Sequence, residues 1–146
     1  MKLLVGIDLS DFTEKLVKKT EEIAQALSAR VWVLHVAEPE PDFVGFKAGP
    51  QSTRDSLAKR FHEEHCQIQE IANRMRKLGI ETTALLLQGA TVDTILLEAS
   101  KLGADMIVVG SHGRGAMYQL VMGSVSEGLL KKSACPILVV PTHERS

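Results

Sequence analysis

A glycine-rich stretch from Gly110 to Ser124 holds the residues whose types and spacing best suit a chemical role. Glycines at positions 110, 113 and 115 let the backbone turn tightly and bring its amide groups close to a ligand. A helix is predicted to begin near Gly123, and the free amides at a helix N-terminus, helped by the helix dipole, bind anions. The stretch therefore predicts a cradle for phosphate groups.

Side chains in and after this stretch would strengthen the cradle. The run Ser124-Val125-Ser126-Glu127 fits a capping box, in which Ser124 accepts hydrogen bonds from free amides and Glu127 reaches back. The hydroxyls of Ser124 and Ser126 can bind phosphate, and Arg114 can add positive charge. The alternative is that the glycines only shape a turn, but the strand before them and the capped helix after them favour phosphate binding.

The stretch matches neither common glycine-rich nucleotide motif. A P-loop requires Gly-Lys-Ser/Thr, and the Gly-x-Gly-x-x-Gly of dinucleotide enzymes would open the first helix. The first strand is followed instead by Gly6-Ile7-Asp8-Leu9-Ser10, which contains one glycine. Asp8 can cap the first helix, as can Ser10, or its carboxylate can face ribose or magnesium at the end of a strand; we favour the second interpretation.

Histidines offer less chemistry. His112 can contact phosphate or act as an acid–base group, but a binding or packing role fits better because the loop holds no partner carboxylate. His35 lies within a predicted strand, where a histidine is more often a hydrogen-bonded core residue than a ligand. His62 and His65 lie among glutamates at a spacing that suits metal poorly, which favours a solvated helix face.

The elements that position these residues alternate strictly between strand and helix. Five short, nearly continuous aliphatic runs predict strands that are covered on both faces. They lie at residues 3–7, 31–36, 82–87, 106–109 and 137–140. Apolar residues recur at helical spacing between them, and the βαβαβαβαβ order requires right-handed crossovers and a mostly parallel sheet. We therefore predict one soluble α/β domain over residues 1–146, with a three-layer, doubly wound architecture.

Composition restricts the class of function. The 146 residues are 45% hydrophobic and 24% charged, as in globular proteins, and the net charge of −1 gives no field that attracts nucleic acid or an anionic membrane. The N-terminal apolar run ends at Asp8, too early for a signal-peptide core or a membrane span. Cys66 and Cys135 lack metal-ligand spacing and are interpreted as free thiols. We expect a cytoplasmic protein without nucleic-acid or membrane partners.

The motifs resemble those of the universal stress protein family. The family spacing of glycine, two residues, glycine, nine residues and Gly-Ser is met by Gly110, Gly113, Gly123 and Ser124, and it is similar to that of the ATP-binding branch. Further matching segments follow in the same order: VGIDLS at residues 5–10, LHV at 34–36, DMIVVGSHG at 105–113 and CPILVV at 135–140. The resemblance spans roughly residues 1–141.

The resemblance implies a Rossmann-like sheet of five parallel strands in the order 3-2-1-4-5, which places Asp8 beside Gly110 in one crevice. It implies that the backbone of Val36 recognises adenine and that Asp8 lies near the adenosine or a metal ion. The implied nucleotide-binding residues are Gly6, Ile7, Asp8, Val36, Gly110, Ser111, His112, Gly113, Arg114, Gly123, Ser124, Val125 and Ser126. The implied ligand is ATP, or else ADP or AMP, with Mg²⁺.

The family also dimerises through its last strand, here Ile137, Leu138, Val139 and Val140. The segment at residues 38–52 follows the second strand, where ligand-covering loops occur. Its Phe43, Val44 and Phe46 would cover adenine, contact a partner or simply hold the loop against the domain.

These features predict a nucleotide-dependent regulatory protein of the stress response, acting on an unidentified protein partner, rather than an efficient enzyme. Phosphoryl transfer needs a positioned base and charge compensation, and the loop shows no obvious base. The alternative is a slow ATPase or phosphotransferase that uses Asp8, His112 and Arg114. A third possibility is a dimeric adaptor or chaperone whose pocket is empty or structural.

Overall fold

A computed structural model describes residues 1–37, 51–111 and 123–142, with the side chains of residues 51–54 excepted. The predicted strands are confirmed to within one residue at each end. The strands are β1 (Lys2–Gly6), β2 (Arg30–Ala37), β3 (Thr82–Gln88), β4 (Met106–Gly110) and β5 (Ile137–Val140). The helices are α1 (Thr13–Leu27), α2 (Gln51–Lys77), α3 (Thr91–Leu102) and α4 (Ser124–Lys132).

The five strands form one parallel sheet in the order β3-β2-β1-β4-β5. This confirms the expected order. Strands β1 and β4 are direct neighbours, with Val5 opposite Val108. Because the strands are parallel, the residues that follow β1 and those that follow β4 leave the sheet at the same end, where the carboxyl ends of the strands lie.

Two cores explain why the strands are apolar on both faces. Leu3 and Val5 face a core that includes residues of α1 and α2, whereas Leu4 between them faces a core that includes residues of α3 and α4. All three side chains are fully buried. Burying a leucine side chain contributes about 1.5–3 kcal/mol, so this central strand anchors both layers of helices.

Helix ends follow the local sequence. Gly79 and Gly103 follow the C-termini of α2 and α3 in the left-handed conformation, with φ angles of 83° and 65°. At the end of α1 the same conformation is adopted by Ser28, whose amide donates to the carbonyl groups of the last helical turn. Among the described helices, including the 27-residue α2, none is both long enough and apolar enough to cross a bilayer.

Candidate functional site

The candidate site lies where β1 and β4 end side by side. The helix after β1 packs on one face of the sheet, and the helix after β4 packs on the other. The two chain segments therefore diverge and open a crevice between them. In open parallel sheets, ligands bind at this kind of switch point.

Glycine at position 6 lets the sheet end pack closely against α3. A Cβ atom there would lie 3.2 Å from Cδ1 of Ile95 and 3.3 Å from Cγ1 of Val109, tighter than most contacts of this type. Gly6 thus has a packing role in addition to its place beside the crevice.

The turn that follows β1 orients Asp8. The Ser10 amide donates a hydrogen bond of 3.0 Å to Oδ1 of Asp8, and the Phe12 amide donates to the Ser10 hydroxyl at 3.2 Å. Helix α1 has Phe12 as its cap residue and no side-chain cap. The Asp8 carboxylate therefore stabilises the turn and does not cap the helix. Within this turn, Leu9 has a left-handed φ of 58°.

The backbone of Val36 points toward the crevice. The Leu34 carbonyl accepts a hydrogen bond from the Ile7 amide on the β1 side, and the Ala37 carbonyl accepts one from the Gly89 amide on the β3 side. Peptide groups of a strand alternate in direction, so those of Val36 point to the β1 side. There the pairing of β1 with β2 has ended, since its last pair is Gly6 with Leu34.

Ser111 joins the segments at the other side of the crevice. Its amide donates to the Val140 carbonyl at 2.8 Å, its carbonyl accepts from the Gly123 amide at 2.8 Å, and its hydroxyl accepts from the Thr142 amide at 3.1 Å. The two ends of the segment between Ser111 and Gly123 are thereby held together. The predicted phosphate-binding residues His112, Gly113 and Arg114 lie within that segment, outside the described residues.

The predicted capping box is wrong. Helix α4 has Gly123 as its N-cap residue, without a side-chain cap. The exposed Ser124 is therefore the first residue of the helix and lies one position too late to cap α4. The Glu127 carboxylate does not reach back but lies 3.0 Å from the ammonium group of Lys131. No side chain of the described residues caps this end.

Ser126 is almost fully buried, at 2% exposure, and its hydroxyl donates to the Gly110 carbonyl at 2.7 Å. A hydroxyl has one proton, so this bond commits Ser126 to joining α4 to the end of β4. The half-buried Val125 packs against the core between the sheet and α3 and α4. Its side chain is therefore directed inward, which leaves its amide as the group that can meet a phosphate.

Sequence reasoning missed Glu64 of α2. Phe61 and Ile68 are apolar residues of α2, and Glu64 lies between them at helical spacing with a side chain only 13% exposed. His35, predicted as a hydrogen-bonded core residue, is its partner, at 2.5 Å between Nε2 and Oε2. The signal was a charged residue within a buried stripe, since such a residue requires a partner.

The described side chains do not form a metal site from protein ligands alone. Across residues 1–37, 51–111 and 123–142, no three side chains of His, Cys, Asp or Glu converge. Mg²⁺ is commonly bound by one or two carboxylates together with phosphate oxygens and water. Asp8 fits the role of such a carboxylate.

Comparison with known proteins places this geometry in context. The profile of the universal stress protein family matches residues 1–141. A universal stress protein of Thermus aquaticus is 34% identical over 139 residues, which cover 94% of this chain and 96% of that protein. The universal stress protein YxiE of Bacillus subtilis is 28% identical over 144 residues, covering 95% and 97%.

Solved structures share the fold. The hypothetical protein MJ0577 of Methanocaldococcus jannaschii superposes with a TM-score of 0.82 at 26% identity, covering 99% of this chain and 97% of its own. An Arabidopsis thaliana family member with AMP bound has a TM-score of 0.71 at 20% identity, covering 98% and 92%. A family member in complex with cAMP has a TM-score of 0.68 at 23% identity, covering 98% of both chains. The strand order, the crevice between β1 and β4 and the matched profile together show that this chain belongs to the universal stress protein family.

Proposed function

We propose that this chain binds an adenine nucleotide, ATP with Mg²⁺ in its active form, between the ends of β1 and β4 and acts as a nucleotide-dependent regulator in the stress response. The observation that carries the proposal is the hydrogen bond between the Gly123 amide and the Ser111 carbonyl. It holds the uncapped N-terminus of α4 next to the end of β4. A positive helix end and a crevice at the switch point thus coincide.

Adenine would bind at the β2 side of the crevice. The peptide groups of Val36 point past the end of β1, and together they offer one donor and one acceptor. An adenine edge carries the complementary acceptor and donor. Its flat ring would then lie near the turn of Asp8, whose carboxylate can accept hydrogen bonds from ribose or bind the magnesium ion.

Phosphates would bind at the α4 side. Amides of Ser124 and Val125 supply the helix end, and Gly110, Ser111 and Gly123, whose amide is bonded to Ser111, form the adjoining wall. The residues His112, Gly113 and Arg114, between Ser111 and Gly123 in sequence, would complete the cradle. Family members that share this fold have been solved with AMP and with cAMP, which supports an adenine nucleotide as the ligand.

We favour regulated binding over catalysis because the described wall contains one carboxylate, Asp8, already engaged in a turn, and a buried Ser126 whose proton is committed. In this proposal, the bound nucleotide changes the surface that a partner protein recognises. The cytoplasm is the proposed location.

We also propose a homodimer that forms through β5. This strand pairs with β4 on one side and is last in the sheet order, so it is an edge strand. Three of its four residues, Ile137, Leu138 and Val139, are only half-buried. An apolar edge strand invites pairing with a second copy. Light scattering after size exclusion would give the mass of a dimer; the mass of one chain would contradict this assembly.

Equilibrium titration of the purified protein with ATP, ADP, AMP and GTP, with and without Mg²⁺, tests nucleotide binding. Asp8→Asn keeps the oxygen that accepts from Ser10 but removes the charge, and it should weaken ATP binding about tenfold. Asp11→Asn, at an exposed position of the same turn, is the matched control and should bind like the wild type. The absence of saturable binding by the wild type to any of these nucleotides would contradict the proposal, and many turnovers of ATP to ADP would favour the enzyme alternative.

A further inference from the structure

A buried hydrogen-bonded chain connects α2 to the end of β1. Nδ1 of His35 lies 2.7 Å from the Ile7 carbonyl oxygen, and its Nε2 contacts Oε2 of Glu64. The other oxygen of Glu64 accepts from Nε of Arg60 at 3.0 Å. His35 is 6% exposed and Glu64 is 13% exposed, so water has little access to the central contact.

The hydrogen-bond partners of His35 determine how many protons this buried series of hydrogen bonds contains. A carbonyl oxygen can only accept, so Nδ1 of His35 carries a proton that it donates to Ile7. The contact between Nε2 and the Glu64 carboxylate then needs a proton of its own. It exists either as imidazolium with carboxylate or as neutral imidazole with carboxylic acid. In both forms the pair holds one proton more than neutral histidine and ionised glutamate.

Two charged side chains of α2 lie along this contact among the described residues. From α2, Glu64 contacts the ring and Arg60 contacts Glu64. The residue beside His35 on β3 is the apolar Leu86. The charged residue nearest in sequence to the Ile7 carbonyl is Asp8, which belongs to the turn that follows.

That turn depends on neighbouring contacts. Leu9 has a φ of 58°, a conformation that costs a residue with a side chain about 1 kcal/mol. Such strain persists only where the surroundings hold the backbone in place. The two groups of Ile7 that precede the turn are both fixed from β2, its amide by the Leu34 carbonyl and its carbonyl by the His35 ring.

We propose that His35 is a positioning residue for the nucleotide site, and that the proton it shares with Glu64 makes nucleotide affinity depend on pH. The His35 ring fixes the Ile7 carbonyl and hence the turn that presents Asp8, while the next residue, Val36, presents its backbone to the base. Loss of the shared proton breaks the contact with Glu64, and the affinity falls as pH rises. This inference rests on the proposed nucleotide binding.

Glu64→Gln separates the proton from the geometry. A glutamine amide can donate to Nε2 of a neutral imidazole, so the variant keeps the contact without the extra proton. Glu63→Gln removes a charge from the adjacent, exposed position and is the matched control. Because nucleotide phosphates titrate as well, the two variants are compared with each other in a pH series of ATP titrations.

We expect the ATP affinity of the wild type and of E63Q to fall from the acidic to the alkaline end of the series. This fall should exceed any fall seen in E64Q by about tenfold. Identical pH profiles for E64Q and E63Q would overturn this inference while leaving nucleotide binding intact. Failure of the wild type to bind at any pH would instead overturn the proposed function.

The nucleotide-free protein provides an independent readout. In ¹⁵N NMR spectra of the ring nitrogens, Nδ1 of His35 should remain protonated, and the signal of the proton shared at Nε2 should disappear in E64Q but not in E63Q. An Nε2 signal of His35 that is the same in both variants would show that no proton is shared with Glu64. That result would overturn the inference whatever the nucleotide data show.

Discussion

The hydroxyl of Ser126 donates a hydrogen bond of 2.7 Å to the carbonyl oxygen of Gly110. These two residues lie 16 positions apart, one in the first turn of α4 and the other at the end of β4. The bond therefore fixes the start of a helix to the strand beside the crevice. It also distinguishes Ser126 from Ser124, which is exposed and does not cap α4.

Ser126→Ala should be much more damaging than Ser124→Ala. Removing the buried hydroxyl leaves the Gly110 carbonyl without this donor, and we expect a loss of about 1–3 kcal/mol in the free energy of unfolding. Ser124→Ala should change it by less than about 0.5 kcal/mol, as is usual at exposed positions. Urea denaturation of both variants checks the difference. Equal losses would indicate that Ser124 caps the helix after all.

Gly128→Ala should destabilise the protein although alanine is the better helix former. A Cβ atom at this position would lie 2.9 Å from Cγ2 of Val92, a β-branched side chain of α3 whose χ1 angle is restricted in a helix. We expect the clash to outweigh a propensity gain of about 1 kcal/mol and to lower the free energy of unfolding by about 1–2 kcal/mol net.

The double variant Gly128→Ala with Val92→Ala provides the control for that clash. Val92→Ala makes room for the new methyl group, so the two losses should be less than additive in a denaturation-based mutant cycle. Strict additivity would show that the cost arises within α4 alone.

The fold could be predicted from the sequence because its signals are local and redundant. Leu3, Leu4 and Val5 are apolar in succession, and each is buried by one of two helix layers. The same apolar patterns do not show how far burial extends along a helix. Leu27 and Leu78, which continue apolar helix stripes, are 43% and 45% exposed because a stripe does not show where the layer it packs against ends.

The candidate site was predicted in part. The strand order that brings the ends of β1 and β4 together followed from the family resemblance and is confirmed. The role of Ser126 and the partner of His35 were not predicted, because both depend on residues from distant elements meeting in space. The capping box failed because its spacing is correct for a helix that begins at Val125, one residue later than α4 begins.

Substitutions at the ends of α1 and α3 should change the stability of the protein in opposite directions. Ser28 and Gly103 both follow helices in the left-handed conformation, with φ angles of 51° and 65°. Ser28→Gly relieves strain and should stabilise by up to about 1 kcal/mol. Gly103→Ala should cost about 1 kcal/mol, although none of the described residues beyond its chain neighbours places an atom within 4 Å of the new Cβ. Thermal unfolding should show a raised Tm for the first variant and a lowered Tm for the second; a lowered Tm for Ser28→Gly would contradict the strain argument.

Cys135 should be alkylated more slowly than Cys66. Burial raises the pKa of the Cys135 thiol, and the negative charge of Asp105 raises it further. A raised pKa leaves less of the reactive thiolate at neutral pH, so the Cys135 rate should keep increasing into the alkaline range. Cys66 is exposed. Mass spectrometry of peptides after timed iodoacetamide treatment measures both rates, and faster labelling of Cys135 would contradict the assignment.

The contact of Arg74 with Glu21 should contribute more to the stability of the fold than its contact with Glu14. The guanidinium group of Arg74 donates to both oxygens of Glu14 at 2.7 and 2.8 Å and to Glu21 at 3.2 Å. The contact with Glu14, followed by that with Glu21, raises the pKa of Arg74 and keeps it charged. Glu14 is exposed, so Glu14→Ala should cost less than about 1 kcal/mol. Arg74→Met leaves the buried Glu21 carboxylate without its cation and should cost about 1–2 kcal/mol, a value moderated by solvent because Arg74 is itself 40% exposed.

A second substitution tests that explanation. In the Arg74→Met background, Glu21→Leu removes the stranded carboxylate and places an apolar side chain between α1 and α2. We expect the double variant to recover most of the free energy of unfolding, because a buried ion pair can be replaced by apolar groups of similar size. Denaturation curves of the single and double variants measure this recovery. A double variant as unstable as Arg74→Met would show that the loss comes from the packing of the arginine chain and not from the buried charge.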